Sequence, residues 1–287
     1  MNNNVINGNI TGEELTMGTA GAERRVVGRK LPRRAQTPEP AARKAVTKYA
    51  FAGLSSRAGA TTLALAFADW LARPSDRSVA YIGICDEGLR LSGNDYDKLG
   101  IDRRFAGRGY VSCYDRLAHG GSARAIENLD GGVNWLLRVP GEKTAPFDVA
   151  DYVRLSACAA SDVAVLDVCG QFGGQDRVAA TQKLLRDCDR VFAVIDPLPS
   201  ALMADPEKLE MFKAMESVGA EVLYVLNKMN SGVDVREMRA FLKIRDAVEV
   251  PFLDPAGIYA AEYNCCTVYA MPKLAQALDT AFTRMAT

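Results

Sequence analysis

The residues with the clearest capacity for chemistry are Gly53-Leu54-Ser55-Ser56-Arg57-Ala58-Gly59-Ala60-Thr61-Thr62, a run of mostly small side chains between an apolar hexamer and a helical-period segment. A small-residue turn from strand to helix aims backbone N–H groups and a helix dipole at one point, which suits phosphate. Ser56, Arg57, Ala58, Gly59, Ala60, Thr61 and Thr62 are the candidate phosphate contacts, with the Thr61 hydroxyl a candidate Mg²⁺ ligand. Against the phosphate-loop pattern GxxxxGK[ST] only Gly59 and Thr61 fit, because Leu54 stands at the first glycine and Ala60 at the lysine. Read alone, the run serves equally as a tight turn with an N-cap.

Three further features follow apolar runs later in the chain. Asp86 comes after VAYIGIC, and Asp167-Val168-Cys169-Gly170 ends VAVLDV. In the second, Asp167 can reach Mg²⁺ through water, and the Gly170 amide can face a γ-phosphate. Asn227-Lys228 follows EVLYVL, where a nucleotide base would lie if phosphates occupied the first loop. A single Asp after a strand is more often a helix cap than a metal ligand. The order of these features after successive strands is the specific signal.

The elements that position them alternate. Residues 49–54, 79–85, 133–139, 163–168, 190–195, 221–226 and 248–253 read as short apolar strands. Residues 61–71 place Leu63, Ala66, Phe67 and Trp70 on one helical face. Strands of this kind joined through helices predict an α/β fold: a mainly parallel twisted sheet of about seven strands with helices on both faces, binding ligands at the strands' carboxyl ends. Residues 231–247 and 273–285 read as amphipathic helices, and Leu274, Leu278, Phe282 and Met285 form a stripe more typical of a packing face than of a lipid contact.

Composition narrows the chemistry. At 48% hydrophobic and 24% charged residues, the chain of 287 is globular over most of its length. The single histidine, His119, excludes multi-histidine metal centres, and the seven scattered cysteines form no CxxC pair. No transmembrane segment or secretory leader is read, so a cytoplasmic location is expected. Charge is uneven: residues 1–48 carry nine Lys/Arg against four Asp/Glu, and few large apolar side chains. Residues 1–45 are therefore expected to be a disordered basic tail, and 46–287 the folded domain. Nucleic acid, an anionic membrane surface and an acidic partner are all candidates for the tail, beside a plain solvated linker.

With these motifs in order, the chain from about Tyr49 onward resembles the ParA/MinD family of deviant P-loop ATPases. SSRAGATTLALAFADWLA is similar to that family's KGGxGKTTxAxNLAxxLA, VAYIGICDEG to its LLIDxDPQG, YVSCYDRLAHGG to the segment after it, VAVLDVCG to its YVIIDxPP or DxxG strand, and EVLYVLNKMN to its xxVLNxxN strand. Gly59-Ala60-Thr61-Thr62 resembles the lysine-poor loops of CpaE/TadZ-like members, ancillary proteins of pilus assembly and polar localisation.

The resemblance implies ATP or ADP with Mg²⁺ as ligand, protein partners, and a location at the membrane surface or pole. The departures decide what survives. Ser55 stands where the family has its signature lysine and Ala60 where it has the phosphate-cradling lysine. A hydrogen bond to a charged group contributes about 1.5–3 kcal/mol, so losing the second lysine alone weakens triphosphate binding roughly ten- to a hundredfold. Hydrolysis should suffer further, since phosphoryl transfer depends on positioning and charge. Arg57 replaces a motif glycine, and either substitutes for the charge or blocks the approach of phosphate. Ile84 stands at the first position of the family's DxD pair, leaving Asp86.

Thr61 and Asp167 remain for metal, and Asp86 and Asp167 as the doubtful catalytic carboxylates. The expectation is a localisation or assembly scaffold with weak or no hydrolysis. Ser55 cannot supply a trans charge for a nucleotide-sandwiched dimer, although a homodimer through apolar surface stays open. An active Mg-dependent ATPase for DNA partitioning or cargo positioning is the alternative. A nicotinamide enzyme is a distant third, because the first loop lacks GxGxxG.

Overall fold

The computed structural model describes residues 45–73, 77–84, 95–122, 126–142, 147–159, 161–168 and 177–287. The predicted tail, Asp86 and Gly170 lie outside the described residues, apart from Ala45 at the tail's end. The order begins β1 (Thr47–Gly53), α1 (Ala60–Ala72), β2 (Val79–Gly83), then three short helices, α2 (Asp95–Lys98), α3 (Ile101–Arg104) and α4 (Cys113–Ala118). There follow β3 (Leu129–Asp130), β4 (Val133–Leu136), α5 (Val149–Cys158), β5 (Val163–Asp167), α6 (Arg177–Leu185) and β6 (Arg190–Ile195). The last third holds α7 (Pro199–Leu202), α8 (Pro206–Ser217), β7 (Val222–Met229), α9 (Val235–Leu242), β8 (Ala247–Pro251), α10 (Pro255–Tyr263) and α11 (Pro272–Ala286).

The strands form one sheet in the order β3-β4-β2-β5-β1-β6-β7-β8, parallel throughout except for β3 against β4. The predicted α/β architecture is thus present, with eight strands rather than about seven. The addition is the two-residue β3, turned back by Gly131 and Gly132 at φ +62° and +83°, values that suit a tight hairpin. Asp167 is in register with Phe51 of β1 and Gly83 of β2, so β5 and β2 end together and β1 runs two residues further.

Alternate strand residues feed two cores. Phe51, Val165 and Phe192 face α1, while Ala50, Leu166 and Val191 join Leu155, Leu184 and Phe212 of α5, α6 and α8. On the first face Phe67 of α1 is fully buried among Phe51, Phe192 and Phe282, with ring centroids 5.3–5.5 Å away. Truncating such a ring costs about 3–5 kcal/mol, so this cluster anchors α1 and the loop that enters it. The predicted stripe of the last helix, Leu274, Leu278, Phe282 and Met285, is buried in the same core.

The helix predicted over 231–247 is shorter. Asp234 caps α9 by accepting from the Arg236 and Glu237 amides, left-handed Lys243 ends it, and Ala247 already belongs to β8.

Candidate functional site

The loop after β1 is shaped by its backbone and held from outside. The Leu54 amide donates to Val194 O at 2.8 Å, carrying β1's pairing with β6 one residue beyond the strand, and the Leu54 side chain fills the core at 1% exposure. Arg57 takes a left-handed φ of +62° at the exposed tip, and Gly59 takes +93° as the N-cap of α1. A Cβ at Gly59 would stand 2.3 Å from Asn227 Nδ2, so both conformation and space require glycine. No side chain caps α1, and its first turn carries no acid. The opening amides of a helix lack intrahelical partners, so those around Ala60, Thr61 and Thr62 form an uncapped, positively polarised end.

Side chains from other elements tie down the loop's carbonyls. Asn227 Nδ2 donates to Ala58 O at 2.8 Å, Lys228 Nζ to Arg57 O at 2.7 Å, and Lys208 Nζ lies 3.5 Å from Gly53 O. Asn227 was expected just beyond a strand. Instead β7 continues through it to Met229, and the side chain is 6% exposed beneath the loop. Lys228 adopts φ +59° where the β7–β8 register shifts between Leu226 and Met229. That bulge turns its ammonium toward the loop and toward Asp196, whose Oδ2 it meets at 2.5 Å.

At the end of β5, Asp167 is fully buried and is not held as a solvated metal ligand would be. Tyr81 Oη lies 2.8 Å from Asp95 Oδ2 and 3.0 Å from Asp167 Oδ2, so one hydroxyl bridges the two buried carboxyl groups. One hydroxyl proton serves one acceptor at a time, so the phenol serves the two carboxyl groups in turn. Burial raises the Asp95 pKa, against smaller opposing contributions from Tyr81, Lys98 and Asp167. Asp167 thus shares the Tyr81 hydroxyl with Asp95. Thr61 remains half-exposed at the start of α1.

Beside the loop, a cleft of about 710 Å³ opens between the ends of β6 and β7 and helix α9, lined by Asp196, Leu198, Met203, Lys228, Phe241 and Phe252 among others. Leu198, Met203, Phe241 and Phe252 are each more than half exposed. Among the described residues no group of three or more His, Cys, Asp or Glu is placed to hold a metal, and no helix is long and apolar enough to cross a membrane.

The structure therefore brings Ser56 to Thr62 and Asn227 together, with Asp167 at the end of the strand beside β1. Sequence reasoning missed Tyr81, Asp95, Asp196 and Lys208 and noted Lys228 without assigning it a role. Asp196 was findable, since it stands directly after a predicted strand as Asp86 does.

Solved structures share this architecture. A ParA family ATPase from Chlorobium tepidum superimposes with a TM-score of 0.61 at 15% identity, over 83% of this chain and 98% of that one. The septum site-determining protein MinD of Pyrococcus horikoshii, complexed with Mg-ADP, gives 0.60 at 18%, over 83% and 96%. The MinC:MinD cell division complex of Aquifex aeolicus gives 0.61 at 14%, over 84% and 96%. The chain has the ParA/MinD fold. No family model and no curated protein matches the sequence.

Proposed function

We propose that the protein is a degenerate ParA/MinD-like scaffold, nearest to the CpaE/TadZ type, acting in localisation or assembly through protein contacts and hydrolysing ATP weakly or not at all. The observation that carries this reading is the loop itself. Left-handed Gly59 and the uncapped α1 terminus preserve an anion cradle, while Ser55 and Ala60 leave it without a lysine of its own.

The residues fit an anion: the amides around Gly59 to Thr62 would hold phosphates, and Thr61 would offer a hydroxyl to Mg²⁺. The Mg-ADP complex of the Pyrococcus horikoshii protein supports ADP or ATP as the class of ligand. Asp167 fits a metal poorly, because it is fully buried and Tyr81 already donates to it. When bound, Mg²⁺ supplies charge neutralisation at the phosphates.

The exposed apolar cleft by Leu198 and Met203 supports a protein partner, and the basic residues before Lys48 support contact with an acidic or anionic surface, nucleic acid and membrane included. Magnesium-dependent phosphate release from ATP tests the reading. Turnover at background is expected. Sustained turnover abolished by Asp167→Ala selects the alternative, a positioning or partitioning ATPase.

A further inference from the structure

We infer that Lys208 supplies the loop with the cation that Ser55 and Ala60 do not carry, an inference resting on the anion-cradle reading above. Two ammonium groups reach the loop from outside, and they are held differently. Lys228 is tightly held: its Nζ lies 2.5 Å from Asp196 Oδ2 and 2.7 Å from Arg57 O. Withdrawing it would strand a carboxylate that is 5% exposed. It braces the loop and has no charge to lend.

Lys208 is loosely held. It sits in the first turn of α8 with its side chain three-quarters buried, Nζ 3.5 Å from Gly53 O and 3.6 Å from Asp205 Oδ2. Both contacts are at or beyond the outer limit of a hydrogen bond, and Asp205 already spends its other oxygen capping α8 through the Lys208 amide at 3.2 Å. A compact ammonium on a four-carbon stem can leave such partners for a better anion.

Its position suits that role. Gly53 directly precedes the loop, and two residues on, Ser55 is 8% exposed with an Oγ that has no hydrogen-bond partner among the described residues. Arg57, at the exposed tip, is the only charged side chain from Gly53 to Thr62. Lys208 therefore brings a partly buried positive charge to the loop's entrance, two residues in sequence before a hydroxyl still lacking an acceptor or donor.

The test is calorimetric titration of the full chain with ATP and with inorganic tripolyphosphate at several salt concentrations. Lys208→Met keeps the apolar stem, Lys208→Arg restores the charge, and Ala60→Lys and the double variant complete a cycle. Lys208→Met should weaken both ligands roughly tenfold and flatten the salt dependence, Lys208→Arg should restore most of the affinity, and Ala60→Lys should compensate for Lys208→Met. Unchanged affinity and salt slope in Lys208→Met, with melting temperature unaltered, overturns the inference and leaves the cradle reading standing. If neither the unaltered chain nor Ala60→Lys binds either ligand, the cradle reading itself fails, and the role of Lys208 with it.

Discussion

Two neighbouring strand ends are held in different ways. At β1 the loop leads through left-handed Gly59 into an uncapped helix start and carries no lysine. At β5, one strand away, the carboxylate Asp167 is present but enclosed with Tyr81 and Asp95. Backbone shape at β1 is maintained by contacts that need no ligand: the glycine at φ +93°, the Asn227 and Lys228 ties, and the aromatic packing under α1. Charge has no such support.

The largest expected effect comes from attacking the shape. Gly59→Ala meets Asn227 Nδ2 and a left-handed backbone together, so it should cost about 3 kcal/mol in denaturant unfolding and abolish tripolyphosphate binding. Retained binding would mean that the amides are not the cradle. Next, Lys228→Met should cost about 2 kcal/mol, because Asp196 is buried while the lysine's own partial exposure moderates the loss. Hydrogen exchange of the loop amides should quicken in the same variant, and unchanged exchange would separate the brace from the loop.

A smaller effect belongs to the β5 side. Because burial raises the Asp95 pKa in the fold, its contribution to stability is full below its ordinary value of 3.8 and is lost as pH rises through the folded value. Asp95→Asn keeps a donor for Asp167 and removes that loss. Its melting temperature should therefore decline less than that of the unaltered chain from about pH 4 upward. Parallel declines would mean that burial does not raise the Asp95 pKa. Smallest of all, Asp167→Ala should change ATP affinity less than about threefold with or without Mg²⁺, since the carboxylate is already engaged. A large magnesium-specific loss would show that the cluster opens to metal.

Much of this was legible before any coordinates. Apolar strands such as VAVLDV announce a buried parallel sheet, and Gly59 before TTLALAF announces a turn into a helix, because both depend on local periodicity. β3 escaped notice at two residues, too short for any period, although Asp130-Gly131-Gly132 carries a hairpin signature. The residues around the loop were hidden for another reason. Tyr81, Asp95 and Asp167 meet only because β2 lies beside β5, and Lys228 reaches Arg57 only through a bulge that no residue type in EVLYVLNKMN marks. Long-range register decides such contacts. Asp86 and Gly170 lie outside the described residues, so the structure places neither.

The most direct measurement is an equilibrium titration of ATP into the unaltered chain and into Ala60→Lys, with Mg²⁺ present. A cradle intact in shape and short of charge predicts weak binding that tightens roughly ten- to a hundredfold when the lysine is restored. Tight binding by the unaltered chain, with nothing gained from the new lysine, would contradict it.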